Sequence, residues 1–534
     1  MYIDLQTCNP GFPMARTRKK SDVNENLVRV TICDGATRTI LARKGASLLD
    51  TLQRAGATVT AACGGRGRCK KCGVTIAGTG TRLACRHALA RDTKVVLPRP
   101  AQATILVEGP GGWRGGGAAD ALRSGPRPGR FTPARSGVES RFGLAIDIGT
   151  TTVVVYLEDL NAVSTRAIES FVNPQSVYGH DVVARIHHCM ERRSGLRDLR
   201  ECLIATVNES VDAMCRSTGV KRREIREAAI VGNPTMLHLF LGVNPASIAL
   251  APYKPAFTAS RTTPAGRSGL RMNRRGVVHV LPGVSGYVGA DITAGIACTP
   301  LVRSKAMCLY VDIGTNGEMA VGNKDGLWCC ASAAGPAFEG ASIGSGVGGV
   351  EGAICSFDNG RYRTIGGTKP LGICGSGIVD IVAWLLDKGI VDRTGYMETR
   401  FVVENGARTA TRRNIAVTPQ DIRQIQLAKA AIAAGISILL KTAGIVIDDI
   451  ESLFLAGAFG ASINVKSAVA IGMIPHPLRE RVVSLGNAAG TGARSAVRSK
   501  KFEASVERIA AMARYVELSG REDFNEEFVG GLGF

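Results

Sequence analysis

Four cysteines carry the most definite chemistry in this sequence. "CGGRGRCKKCGVTIAGTGTRLAC" holds Cys63, Cys69, Cys72 and Cys85 in the spacing Cys-x5-Cys-x2-Cys-x12-Cys. Structural zinc ordinarily uses two separate Cys-x-x-Cys knuckles, and this loop has one. Three close cysteines and one remote cysteine in a glycine-rich loop is the pattern of a plant-type [2Fe-2S] centre. Gly64, Gly65, Gly67 and Gly73 let backbone N–H groups approach the cluster sulfurs where side chains would obstruct. A zinc site or reduced structural thiols is the alternative. Arg66, Arg68, Lys70, Lys71, Arg82 and Arg86 surround the four, as a docking face for an acidic partner or as plain solvated charge.

A second chemistry repeats. "LAIDIGTTTVVVYLED" from Leu144 and "LYVDIGTNGEMAVGN" from Leu309 each run an apolar strand into Asp, then a Gly-Thr turn, then another strand. Gly149 and Gly314 permit the tight turn, and backbone N–H groups with the hydroxyls of Thr150, Thr151 and Thr315 can hold phosphate oxygens. Asp147 and Asp312, at the strand ends, can bind Mg2+ directly or through water. A third strand, "LFLAGAFGASIN" from Leu453, leads to Gly457 and Gly460, where small residues would admit an adenosine. A repeat on this scale predicts two related α/β halves facing across a cleft.

These sites need elements to position them. "LVRVTIC" and "TRTILARKG" alternate in polarity across "DGATR", predicting a hairpin. "SLLDTLQRAG" follows as a helix with Ser47 as N-cap and Gly56 as stop. "GVTIAG" and "TKVVLP" add strands around the cysteine loop. Residues 1–25 read as an N-terminal extension, with Met14 an alternative start, 26–98 as a small β-grasp-type domain, 99–141 as a Gly/Pro/Arg-rich flexible linker, and 142–534 as the doubled fold, with lobes at about 142–305 and 306–534. "AKAAIAAGISILLKTAGIVI" reads as a buried helix within the core or between subunits of a homodimer.

The bulk composition excludes several classes. Hydrophobic residues at 45% and charged residues at 21% are globular values. No uninterrupted apolar run has the ~20 residues of a membrane span, and no basic-then-apolar leader opens the chain, so a cytoplasmic location is expected. The formal charge of +21 is spread along the sequence without a nucleic-acid-binding motif, so no nucleic-acid partner is expected. The seven histidines show no ligand spacing, and "IHHC" with His187 and His188 reads as a partly exposed helix face.

The two Gly-Thr turns and the third glycine strand together resemble the actin, hexokinase and Hsp70 superfamily of two-lobed ATPases. The resemblance narrows through "NPQSVYGHDVVARI", "VGNPTMLHLFLG", "GYVGADITAGI", "VDIGTNGE", "AAGPAFEGASI", "ICGSGIVD", "LAGAFGASIN" and "GNAAGTGA". With the cysteine loop in front of them, these look like an ATP-dependent reductive activator of corrinoid proteins. The fold implied is a [2Fe-2S] ferredoxin domain, a linker, and a duplicated actin/hexokinase-like ATPase. In place of the small domain that some members insert, this chain has the linker.

The resemblance implies one-electron reduction of a corrinoid methyl-carrier protein from Co(II) to Co(I), with the electron supplied by an upstream donor through the cluster and driven by ATP. Plant-type clusters lie near roughly −400 mV, and each further ~100 mV costs about 2.3 kcal/mol per electron. By the same resemblance Cys63, Cys69, Cys72 and Cys85 hold the cluster, and Asp147 and Asp312 organise Mg2+ and the attacking water. Gly149, Thr150, Thr151, Gly314, Thr315 and Asn316 hold phosphate, and Gly457 and Gly460 lie beside adenosine. Ser332 is either a corrinoid-facing hydroxyl or a local cap of the backbone. "ICGSG" around Cys374 is either the start of a helix at the nucleotide or close packing. Two other functions suit the same parts: an ATP-coupled electron donor to another low-potential enzyme, and a non-catalytic nucleotide and redox sensor.

Overall fold

The alternation near the N-terminus folds as a hairpin. β1 (Leu27–Cys33) and β2 (Thr37–Arg43) pair antiparallel from Leu27↔Arg43 to Cys33↔Thr37. The computed structural model describes residues 27–33, 37–55, 57, 59, 67, 72–97, 141–460 and 462–534. Cys63, Cys69, the N-terminal extension and the linker up to residue 140 lie outside the described residues. The chain divides into two compact units, Met1–Pro100 and Ala101–Phe534.

In the first unit β3 (Gly73–Ile76), β4 (Gly80–Leu83) and β5 (Thr93–Val96) complete a five-stranded sheet ordered β2-β1-β5-β3-β4, in which β1 and β5 run parallel. The helix Leu48–Arg54 starts where expected, the Ser47 hydroxyl accepting from the Asp50 N–H at 3.4 Å. Its Leu48 and Leu52 pack against Val30, Ile32 and Val95, all fully buried. β4 was not anticipated. Its residues are exposed apart from a half-buried Leu83, so it carries no alternation to read.

The second unit holds two six-stranded sheets. The first is formed by β6 (Phe142–Ile148), β7 (Thr152–Asp159), β8 (Ser164–Val172), β9 (Ile225–Gly232), β10 (Arg261–Pro264) and β11 (Val277–Val280), in the order β10-β11-β9-β6-β7-β8. The second begins with β12 (Met307–Ile313), β13 (Gly317–Gly322) and β14 (Leu327–Ser332). After a small sheet of β15 (Ala353–Asp358), β16 (Arg361–Thr364) and β17 (Gly372–Ile373), and a two-stranded ribbon of β18 (Phe401–Glu404) and β19 (Ile415–Val417), it resumes. β20 (Ile450–Ala456), β21 (Val482–Gly486) and β22 (Ala513–Tyr515) give the order β21-β20-β12-β13-β14-β22. The repeat read from sequence is visible in the pairing. β6 lies between antiparallel β7 and parallel β9, and β12 lies between antiparallel β13 and parallel β20.

Side-chain alternation places the second sheet between two cores. Leu309, Val311 and Ile313 face one cluster, while Cys308 and Tyr310 face the other, shared with β6, β9 and the helix Ala290–Ala297. The helix Ala488–Arg498 also packs on β6 and β9. The lobe boundary at 305/306 therefore describes chain order and not packing: Ala489, Ala493 and Ala496 are small enough to return the chain to the first sheet. Glu158 of β7, fully buried, accepts from Arg494 Nε at 3.2 Å, from Arg498 Nε at 2.6 Å and from the Thr165 hydroxyl at 2.9 Å, which fixes that helix to the sheet.

The buried helix read in "AKAAIAAGISILLKTAGIVI" is Pro419–Ala443, begun by a Thr418/Asp421 capping box. Among the described residues it alone is long and apolar enough to cross a membrane, and 67% of its apolar window is buried inside the unit. Ser332 takes the second of its two readings: it is buried opposite Gly317 and donates to the Gly317 carbonyl at 3.4 Å, so its hydroxyl serves the backbone of the β13–β14 ladder.

Candidate functional site

The two Asp-Gly-Thr turns meet at one cavity of about 310 Å³ in the second unit. Asp147, Gly149, Thr150 and Thr151 line it from the end of β6, and Asp312, Gly314, Thr315 and Asn316 from the end of β12. Gly457, the residue after β20, lines it too. Its φ of +92° is left-handed, and a Cβ there would lie 2.8 Å from Asp312 Oδ1, so glycine is required on both counts. Gly460 is not part of the lining: it is buried behind the wall, where its carbonyl accepts from the Ser484 hydroxyl at 3.1 Å.

The first turn is braced from behind by side chains of two quoted motifs. Asn173 Nδ2 donates to the Gly149 carbonyl at 2.8 Å, and Arg185 Nη2 to the Thr150 carbonyl at 2.6 Å. Asn233 Nδ2 donates to the Thr150 hydroxyl at 2.9 Å. Arg185 is fully buried, and that burial pulls its guanidinium down to about 10. The second turn closes on itself through Gly314 N to the Asn316 carbonyl at 3.0 Å. One residue joins the turns: Glu339 accepts from the Thr151 hydroxyl at 2.6 Å through one oxygen and from the Thr315 hydroxyl at 2.7 Å through the other.

The floor of the cavity is a set of carboxyls. Asp147 is pushed up to about 6 by burial, opposed by a hydrogen bond from Asn487 Nδ2. Burial and the nearby Asp147 raise Asp312 to about 7. Asp291, in the first turn of the helix Ala290–Ala297, is raised to about 8 by burial, then by Asp312 and Asp147. Glu318 pairs with Asp312 across β12–β13 and is raised well above its ordinary value by burial and by the charges of Asp291 and Asp312. No lysine or arginine is among the described lining residues. Oxygen donors in this number, without a basic partner, suit a hard divalent cation. Among the described residues no three His, Cys, Asp or Glu side chains converge as a complete metal cage. Mg2+ does not need one, because it takes one or two carboxylates and completes its shell with phosphate and water.

Toward the other end the lining turns apolar. Phe459 stacks on Phe338 with centroids 5.0 Å apart and planes at 14°. The "ICGSG" segment is both a helix start at the cavity and close packing: Cys374, Gly375 and Ser376 line the cavity where the helix Gly375–Asp387 begins, and a Cβ on Gly375 would strike the Phe338 carbonyl at 1.9 Å.

In the first unit Cys72 and Cys85 bring their sulfurs to 3.1 Å. The Ala84 N–H donates to the Cys72 carbonyl at 2.8 Å and holds the two segments together. Two sulfurs converging on one point are what ligands of a shared metal group must do, and Arg86 Nη2 closes on the Gly67 carbonyl of the same loop at 3.2 Å. Cys63, Cys69, Arg66, Arg68, Lys70 and Lys71 lie outside the described residues.

The family descriptions "RACo middle region" and "C-terminal domain of RACo the ASKHA domain" match residues 142–304 and 306–534. Over 431 residues the chain is 36% identical to "Corrinoid activation enzyme RamQ" of Eubacterium limosum, spanning 76% of this chain and 72% of that protein. The chain belongs to the RACo family of corrinoid reductive activators. A more distant family relative is the "[Co(II) methylated amine-specific corrinoid protein] reductase" of Methanosarcina barkeri, 24% identical over 74% of this chain and 77% of its own length. The solved structure of a "Reductive activator for corrinoid,iron-sulfur protein" superposes with a TM-score of 0.70 at 31% identity, covering 95% of this chain and 98% of its own.

For this RACo-family chain, residue-type reasoning found both turns and both strand-end aspartates but passed over Asp291, Glu318, Glu339 and Asn487. Each stood inside a quoted motif, "GYVGADITAGI", "VDIGTNGE", "AAGPAFEGASI" and "GNAAGTGA". For Asp291, Glu339 and Asn487 the available signal was a lone acidic or amide residue in a run of small residues, where burial is costly without a partner; Glu318, beside Asp312 and Asn316 in a polar turn, carried no such signal.

Proposed function

We propose that this protein uses ATP to reduce a corrinoid protein from Co(II) to Co(I), one electron passing from a [2Fe-2S] cluster in its first unit. The observation that carries the ATP half is the cavity in which both phosphate turns and the buried carboxyls meet. The pairing of Cys72 with Cys85 supports the cluster half. When bound, such a cluster supplies a single low-potential electron, and Mg2+ offsets the charge of the phosphates.

The remaining work falls to the chain's own groups. Thr150, Thr151, Thr315 and the turn N–H groups hold phosphate oxygens, while Asp147 and Asp312 hold the cation and orient the attacking water. The Phe338–Phe459 face and Gly457 bound the adenosine end. Because the site is built from two sheets, nucleotide binding can favour one arrangement of the lobes over another. A nucleotide that prefers one state of the complex with the corrinoid protein can drive an otherwise unfavourable electron transfer.

The test is to mix the reduced protein anaerobically with a Co(II) corrinoid methyl carrier and follow the visible spectrum. The expected result is Co(I) formed only with ATP and lost in Asp312→Asn. Reduction that ignores ATP would overturn the coupling.

A further inference from the structure

Thr151 and Thr315 are the hydroxyls that the phosphate reading needs, one from each turn, and both donate to the same carboxylate. Thr151 and Glu339 are 188 positions apart, so the contact joins the strand-turn repeats and not neighbouring segments. At 2.6 and 2.7 Å these are short, charge-assisted O–H···O⁻ bonds. Glu339 is also held from its own side. The preceding Phe338 is buried against Phe459, and the turn is closed by Glu339 N to the Pro336 carbonyl at 3.2 Å and Gly340 N to the Ala337 carbonyl at 3.0 Å. The carboxylate is therefore presented to the cavity by a fixed loop.

A carboxylate accepting two hydroxyl protons through two oxygens is a chemical mimic of a phosphate's two oxygens. Phosphate and Glu339 cannot share these donors, because each threonine hydroxyl has one proton to give. We propose that Glu339 is an internal competitor for the phosphate seat, a latch across the two turns that nucleotide must displace on entering. Displacement releases the Glu339 carboxylate from both turns and removes one bridge between the lobes, so nucleotide occupancy is transmitted to the lobe contact through this one side chain. This rests on the ATP reading of the cavity and adds an element that reading does not contain.

The sign of a mutation distinguishes the latch from a supporting role. A residue that merely holds the site together, or that ligates the cation, weakens nucleotide binding when removed; a competitor strengthens it. Calorimetric titration of the full chain with Mg·AMPPNP is expected to give a Kd five- to tenfold lower in Glu339→Gln and Glu339→Ala than in the wild type, with the KM for ATP falling in parallel. A Thr151→Val/Thr315→Val background separates competition from simple charge repulsion, since it removes the shared donors and keeps the cavity's shape. There Glu339→Gln is expected to change Kd less than twofold. Unchanged or weaker binding in the Glu339 variants overturns the latch, as does equal tightening in both backgrounds. Binding by none of the proteins overturns the ATP reading itself. Thermal melting of each variant, expected within a few degrees of wild type, shows that the comparison is between folded proteins.

Discussion

Asn487 Nδ2 donates to Asp147 Oδ2 at 2.9 Å, across 340 positions of sequence. The same side chain accepts from the Gly490 N–H at 2.7 Å as the N-cap of the helix Ala488–Arg498, and it lies 3.5 Å from the Tyr156 hydroxyl. One amide thus ties the strand-end carboxylate to the helix that the C-terminal part of the chain returns to the first sheet. Its bond favours the ionised form of Asp147 against the burial that opposes it.

Asn487→Ala is therefore expected to raise Asp147 further above about 6 and to move the acid limb of the ATPase pH profile to higher pH. Activity should fall more at pH 6 than at pH 8. Loss of the cap should also lower stability by about 1 kcal/mol. A pH–rate profile with a denaturant melt reads both effects, and a profile displaced uniformly at every pH would mean that the amide serves the helix alone.

The buried carboxyls set a second dependence on pH. In the folded protein Asp291 is raised to about 8 and Asp312 to about 7, against roughly 3.9 in an unfolded chain. Between these values the folded state binds more protons than the unfolded one, so stability contributed by these groups falls as pH rises from ~4 to ~8. With EDTA present, Asp291→Asn is expected to melt higher than wild type, the gain growing from pH 5 to pH 8. Mg2+ should narrow the gap by stabilising wild type more. A gain that does not vary with pH would show that Asp291 is not held protonated.

Most of this arrangement was legible in the sequence because it follows local rules. β6 and β12 are apolar strands that each run into the same Asp-x-Gly-Thr signature, although only the first turn needs its glycine, since a Cβ on Gly149 would press on the Thr152 carbonyl while Gly314 has ordinary room. What the sequence did not display was the meeting of distant parts. Asp291 is one acid at the start of a small-residue helix, Glu339 one acid in a glycine-rich turn, and Asn487 one amide before an alanine-rich helix. Their partners are fixed by sheet stacking, which no periodicity records. Gly457 and Gly460 read alike in the sequence for a related reason: of the two ends of the short helix Gly457–Gly460 only the first lines the cavity, and two equally small residues do not reveal which one does.

Glu158 offers a test of how the returning helix is held. Its carboxylate is fully buried with Arg494 and Arg498, whose side chains are 12% and 7% exposed. Glu158→Gln leaves two guanidinium groups without their counter-charge, and breaking a buried pair of this kind costs ~3–5 kcal/mol. Chemical denaturation should show a loss in that range. A loss below ~1 kcal/mol would mean that water reaches the guanidiniums and that the helix is held by its alanine face instead.

The cysteine pair gives the last test, and it needs two variants because the two residues differ in burial. Cys72 is 1% exposed within the small core of the first unit, so Cys72→Ser buries a hydroxyl there and is expected to lower stability as well as iron content. Cys85 is only partly buried, which makes Cys85→Ser the cleaner probe. In that variant the iron bound per chain and the visible absorption of the cluster should fall at least severalfold, while the melting of the second unit stays as in wild type. Corrinoid reduction should then fail even with ATP present. Retention of the full iron content in Cys85→Ser would remove this residue from the ligand set and leave the 3.1 Å contact with Cys72 as packing alone.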